Sequence, residues 1–193
     1  RVLDACAAPG GKACYLAEAI QGTGRVFAWE LHEHRVLLLE SARRRLKLEN
    51  LRITQRDATE YREEMENTLD AVLLDAPCTG LGVLAQKPDL KYRVKEADVE
   101  PIVRQQKKLL DTLCRYVKPG GALVYSTCSL LPEENRMQTA EFLQNHPEFE
   151  VESLPETFPE SLLHQQTPLG LQLLPQRDGV EGFYIVRLKK GRA

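Results

Sequence analysis

Short apolar runs alternate along the chain with stretches of helical spacing. Runs at Val2 to Asp4, Arg25 to Glu30, Leu51 to Gln55, Asp70 to Asp75 and Gly121 to Ser126 predict strands. Apolar residues recurring at helical intervals predict helices over Lys12 to Ile20, Glu33 to Leu48, Pro101 to Val117 and Glu133 to Asn145. "EGFYIVRLKK" reads as a last strand. The segment Pro155 to Pro175, rich in Pro, Leu and Gln and without a period, predicts a long loop and the one weak internal boundary, near Pro155.

The cores of two strands, "AVLL" and "ALVY", are apolar throughout, which suits a sheet covered on both faces by the helices of right-handed crossovers. The expected fold is therefore α/β and doubly wound. A chain of 193 residues is ordinary for one such domain.

Composition narrows the class without changing the fold. With 42% hydrophobic and 28% charged residues and a net charge of −2, the chain is neither collagen-like nor disordered. No apolar run reaches the roughly 18 to 20 residues of a membrane span, and "RVLDACAAPGGK" lacks the regions of a secretory signal, so a cytoplasmic location without a membrane partner is expected. Five cysteines with no CxxC spacing argue against a disulfide framework and against a metal cluster, and predict reduced thiols. The chain opens directly on a strand, as expected of a piece of a longer protein.

"DACAAPGGK", Asp4 to Lys12, ends the first strand and opens a helix. Small residues and paired glycines let a ligand approach the backbone, and a helix N-terminus favours a negative group. Neither GxGxxG nor GxxxxGK followed by Ser or Thr is present. Glu30, at the end of the second strand, suits the two hydroxyls of an unphosphorylated ribose. Asp4, Glu30, Asp57 and Asp75 all fall at or near strand ends, along the carboxyl edge where open α/β sheets bind ligands. Each alone is an ordinary loop or cap residue; four in register point to an adenosyl ligand.

Cys78 follows the fourth strand in "DAPCTG" and Cys128 the fifth in "YSTCS". Neighbouring strands would bring both thiols to one pocket, where a thiolate suits addition to an electron-poor ring carbon. Cys6, Cys14 and Cys114 read as small buried hydrophobes. Position alone does not rank Cys78 against Cys128.

Taken together, "LDACAAPGGK", "DAPCTGLGVL", "KPDLKYR", "KPGGALVYSTCSLLPEEN" and "RDGVEGFYIVRL" resemble the S-adenosylmethionine-dependent RNA cytosine carbon-5 methyltransferases, the group that includes the bacterial 16S rRNA enzymes of the Sun type. The matches run in order from Leu3 to Leu188. The resemblance implies a mostly parallel, seven-stranded Rossmann-like sheet, the class I methyltransferase fold, with residues 1–193 as the catalytic domain and an RNA-binding region ahead of it. It implies S-adenosyl-L-methionine as cofactor. Cys6, Ala7, Ala8, Pro9, Gly10, Gly11 and Lys12 would hold the methionine end, Glu30 the ribose and Asp57 the adenine, with Asp75 between cofactor and target base. By the same resemblance Cys128 is the nucleophile toward carbon 6 and Cys78 assists release, while Lys12 keeps the pocket electropositive. One position departs: "VEGFY" carries Glu181 where the family more often has Asp.

RNA, expected to be ribosomal, is the implied partner, yet a pI near 6.2 demands local basic clusters. "ARRRLK", Ala42 to Lys47, reads as a solvated helix face. Lys87, Lys91, Arg93 and Lys95 are the better RNA candidates, with Tyr92 as a stacking residue. The alternatives are a cofactor-binding scaffold without activity and a small-molecule or protein methyltransferase on the same fold.

Overall fold

The computed structural model describes residues 1–20 and 22–192. In chain order the elements are β1 (Val2–Asp4), α1 (Gly11–Ala19), β2 (Val26–Glu30), α2 (Glu33–Leu46), β3 (Leu51–Gln55), β4 (Leu69–Asp75), α3 (Leu90–Arg93), α4 (Glu96–Leu113) and β5 (Val117–Thr127). They are followed by α5 (Arg136–Asn145), β6 (Phe149–Glu152), α6 (Glu160–Leu163), β7 (Leu171–Leu173), α7 (Pro175–Asp178) and β8 (Phe183–Lys190). The strands form one sheet in the order β3-β2-β1-β4-β5-β8-β6. Pairings from β3 through β5 are parallel, and β8 runs antiparallel between β5 and β6.

The chain winds outward from β1 through β2 to β3, then returns to lay β4 on the other side of β1. That reversal opens a crevice at the carboxyl ends of β1 and β4, the place where doubly wound sheets take ligands. Register fixes what borders it: Asp4 lies opposite Leu73, Asp75 opposite Ser126, and Glu30 opposite Gln55.

Two apolar layers hold the sheet. On one face Leu109, Leu110 and Leu113 of α4 meet Leu3, Val72, Leu74, Leu123 and Tyr125. On the other, Ala13 and Ala17 of α1 and Leu39 of α2 cover Val26, Ala28 and Leu51. The alanines let α1 sit close to the strands, and each fully buried leucine contributes roughly 1.5–3 kcal/mol relative to exposure. Among the described residues no helix is long and apolar enough to cross a membrane.

Three details depart from expectation. The segment predicted as a loop from Pro155 to Pro175 contains α6 and β7; β7 pairs with Phe183–Ile185 of β8 and makes the sheet eight-stranded rather than seven. Helix α4 starts at Glu96, not Pro101, because the Lys95 amide donates to the Asp98 carboxylate (2.9 Å) and starts the helix earlier. Helix α5 starts at Arg136 after a tight turn over Pro132–Glu134, which frees Glu134 for another task.

Candidate active site

The loop from Ala5 to Gly10 is pinned on both sides: the Ala5 amide donates to the Leu73 carbonyl (2.9 Å) and the Ala7 amide to the Trp29 carbonyl (2.9 Å). Gly10 turns the chain into α1 at φ 117°, in the left-handed region, and a β-carbon there would stand 3.0 Å from Leu39 Cδ2. Only glycine meets both conditions without strain.

Two neighbouring cavities flank this loop and share Cys6. One, of about 240 Å³, is lined by Cys6, Glu30, Arg35, Asp57 and Thr59 among others; the second, of about 270 Å³, by Asp4, Cys6, Ala7, Ala8, Pro9, Gly11, Lys12 and Asp75. Glu30 is buried and accepts from the His32 amide (3.0 Å), while the Arg35 guanidinium lies 3.4 Å from its other oxygen. Arg35 also donates to the Ala8 carbonyl (2.7 Å) and so joins the glycine loop to the Glu30 carboxylate. Asp57 is steadied by the Thr59 amide (2.8 Å).

Asp4 is the unusual member. It is 1% exposed, and among the described residues neither carboxylate oxygen has a well-formed hydrogen bond, the Cys6 amide acting on it only as a minor lowering influence. Burial, and then the charge of Asp75, push it up to about 7, against the opposing pull of Lys12. Burial, followed by the surrounding acids, raises the Cys6 thiol to about 12, so Cys6 stays neutral at physiological pH. An orphaned buried carboxylate beside a second acid calls for a cationic ligand.

Asp75 closes the second cavity, accepting from Ser126 Oγ (2.9 Å) through one oxygen and from Lys12 Nζ (2.7 Å) through the other. Just past the ends of β4 and β5, Cys78 Sγ and Cys128 Sγ lie 3.3 Å apart as free thiols in hydrogen-bond contact. The bond between them splits their acidities. Cys128 is lowered to about 7 by the hydrogen bond from Cys78, which outweighs burial and the charge of Asp75, and Lys87 adds a smaller lowering. Cys78 is driven far above the ordinary thiol range, by the same bond first and by burial second. The arrangement offers one sulfur as a thiolate near neutrality and the other as a proton donor.

The remaining thiols lie elsewhere. Cys14 is buried under α2, and Cys114 is buried beside His146 (3.7 Å). Of the basic residues after the Cys78 loop, Lys87 acts on Cys128 through its charge, Arg93 pairs with Asp89 (3.2 Å), and Lys91 and Lys95 line a separate cavity. Tyr92 stands 81% exposed, open to stacking. Arg43 of "ARRRLK" is tied to Glu40 (2.9 Å).

Where the loops cross, Gly82 donates its amide to the Cys128 carbonyl (2.8 Å) and Gly182 donates to the Gly82 carbonyl (2.9 Å). A β-carbon on Gly82 would sit 2.2 Å from the Gly182 carbonyl oxygen, a backbone atom with no freedom to yield. Gly82→Ala is expected to lower the stability to urea unfolding by about 3 kcal/mol. An unchanged urea midpoint would show that the crossing can open at no cost.

The reversal crevice, the glycine loop without a phosphate motif and the row of strand-end acids define a Rossmann-like class I methyltransferase domain. The chain belongs to the family described as 16S rRNA methyltransferase RsmB/F, which it matches over residues 1–189. It is 41% identical over 191 residues to the "Probable ribosomal RNA small subunit methyltransferase B" of Bacillus subtilis, covering 98% of this chain and 43% of that protein. It is 36% identical over 191 residues to ribosomal RNA small subunit methyltransferase B of Erwinia tasmaniensis, covering 98% and 42%. The crystal structure of NSun6 from Pyrococcus horikoshii with SFG superposes with a TM-score of 0.81 at 28% identity, covering 100% of this chain and 48% of that one. The chain thus spans less than half the length of these curated relatives.

S-adenosylmethionine is the cofactor of this family, and the site fits it. Unpartnered Asp4 offers negative charge to a molecule carrying an ammonium and a sulfonium, and the buried Glu30 carboxylate offers acceptors to ribose hydroxyls.

Proposed function

We propose that this chain is the catalytic domain, residues 1–193, of an RNA cytosine carbon-5 methyltransferase that acts on 16S ribosomal RNA in the cytoplasm. The contact of 3.3 Å between Cys78 and Cys128, beside Asp75, carries this reading. A small-molecule or protein methyltransferase on this fold has no need of two touching thiols.

Asp4, the loop from Cys6 to Lys12, Glu30 and Asp57 bind and orient the cofactor. When bound, S-adenosylmethionine supplies an electrophilic methyl group on a sulfonium. The cytosine has to leave its stack to reach the thiols, and Lys87, Lys91, Arg93, Lys95 and Tyr92 are the residues assigned to holding the RNA around it. Asp75, fixed by Ser126 and Lys12, accepts from the amino edge of the base.

The Cys128 thiolate adds to carbon 6, forming an S–C bond and moving an electron pair to carbon 5. Carbon 5, made nucleophilic by that electron pair, would take the methyl group that the bound cofactor supplies, the electron pair of the bond that breaks staying with the cofactor's sulfur. The proton on carbon 5 is then lost to a base, the S–C6 bond breaks, and Cys128 leaves as the thiolate with Cys78 assisting. Thiolate is both a strong nucleophile and a good leaving group, which is why sulfur suits both steps.

Cys78→Ala incubated with a 16S RNA fragment and cofactor is expected to accumulate a complex that survives denaturing electrophoresis. Its absence, or its persistence in the Cys78→Ala/Cys128→Ala double variant, would sink the proposal.

A further inference from the structure

Glu134 is wholly buried, with 0% exposure, and among the described residues no lysine, arginine or histidine pairs with it. Its carboxylate is instead ringed by four uncharged donors. Oε2 accepts from the Thr79 amide (3.0 Å) and from Gln106 Nε2 (2.9 Å). Oε1 accepts from Thr79 Oγ1 (2.5 Å) and from Ser129 Oγ. Leaving an unpaired charge in the interior is unfavourable unless its hydrogen bonds are complete, and here every lone-pair direction is used.

The donors come from three places, the loop after β4, the loop after β5 and helix α4, and the two loops also touch directly where Thr79 Oγ1 lies 3.2 Å from Ser129 Oγ. Thr79 directly follows Cys78, Ser129 directly follows Cys128, and Gln106 of α4 also donates to the Pro77 carbonyl just before Cys78 (2.9 Å). Glu134 itself is fixed at its backbone, where its carbonyl accepts from the buried Tyr125 hydroxyl (2.6 Å). One carboxylate therefore ties the loop after β4 to the loop after β5, at the residue beside each thiol.

We propose that Glu134 is a positioning residue for the thiol pair: by holding Thr79 and Ser129 on one carboxylate, it sets the contact between Cys78 and Cys128. Two of the partners, the Thr79 amide and the Gln106 side-chain amide, can only donate, while the Thr79 and Ser129 hydroxyls can donate or accept. An amide in place of the carboxylate loses acceptor capacity and the charge-assisted bonds, and keeps its contacts only if both hydroxyls turn round to accept, which loosens the clamp. An apolar replacement removes the clamp and leaves the Thr79 amide unpaired in the interior. The proposal rests on the thiols being the reactive groups, but it concerns their geometry and is tested on the sulfur chemistry itself.

The test is the pH dependence of Cys128 alkylation by iodoacetamide, followed residue by residue by mass spectrometry, in the native chain, Glu134→Gln and Thr79→Val. When the clamp is released the Cys78 proton no longer reaches Cys128, which then titrates like an ordinary thiol. Alkylation of Cys128 at pH 7 is expected to slow about tenfold in Glu134→Gln and by a smaller factor in Thr79→Val, with the profile moved to higher pH. Urea midpoint and cofactor affinity, measured alongside, identify any variant that has lost its fold. Should Glu134→Gln fail to fold, Thr79→Val, which keeps the shape of the side chain and removes one donor, decides the matter. Native-like alkylation profiles in folded variants would overturn the proposal. A native chain that lacks methyl transfer, with the shifted profiles still seen in the variants, would instead count against the RNA reaction and leave the clamp standing.

Discussion

Cys128→Ala is expected to abolish methyl transfer, with a loss of about 10⁴-fold or more, while cofactor affinity stays within about twofold of native. The two halves of that expectation come from separate parts of the structure: the thiol pair lies over the ends of β4 and β5, whereas the cavities proposed for the cofactor lie around the glycine loop and β2. On the proposed route, loss of the Cys128 sulfur leaves carbon 5 of the cytosine without the electron pair it needs, unless Cys78, 3.3 Å away, adds in its place. In the native chain, at saturating cofactor and RNA, the rate should climb with pH, pass half its maximum near 7 and level off above that, if the thiolate of Cys128 is the form that adds. Radiolabel transfer from the cofactor to RNA measures both. Retention of full activity in Cys128→Ala would reassign the nucleophile.

The second large effect concerns Asp4. In the free protein it titrates at about 7, raised by burial first, so the carboxyl is mostly protonated below that pH. A cationic ligand pairs with the ionised form alone, and apparent affinity scales with the ionised fraction, so cofactor affinity should rise about eightfold from pH 6 to pH 7.5. Asp4→Asn should flatten this dependence and weaken binding at pH 7.5 by roughly 30-fold, as expected for a lost charge-assisted hydrogen bond. Linkage gives a companion result for the free chain. A group raised on folding favours the fold below its unfolded pKa, and that contribution is lost as pH rises from about 4 through 7. The thermal stabilisation by cofactor should accordingly grow across the same window. Calorimetric titration at the two pH values checks the first part; a cofactor affinity independent of pH would remove Asp4 from the binding site.

Much of this site was legible before the fold was seen. The acids Asp4, Glu30, Asp57 and Asp75 lie at strand ends, and in a parallel sheet every strand ends on the same edge, so chain position becomes spatial position. The same logic brought Cys78 and Cys128 together from opposite sides of a long helix. What it did not reveal was whatever depends on a side chain reaching sideways. Arg35 sits on an ordinary helix face, and nothing in its spacing says that it bridges Ala8 and Glu30. Glu134 falls in "LLPEEN", where a glutamate after a proline reads as the first turn of a helix, yet the helix begins two residues later and the carboxylate turns inward. Strand β7 was hidden for a different reason: three residues carry no period, and pairing exists only because β8 extends past β6 and presents an open edge.

The meeting of Gly82 with Gly182 has a consequence for how the chain comes off the ribosome. The loop that supports the Cys128 carbonyl is completed by a residue made a full hundred positions after Gly82, and β8 then inserts between β5 and β6 as the last strand of the sheet. During synthesis β1 through β4, the half proposed to hold the cofactor, is on hand early, but both cysteine loops lack their final brace until β8 emerges. A nascent chain should therefore be able to recognise the methyl donor before its thiols are set for attack.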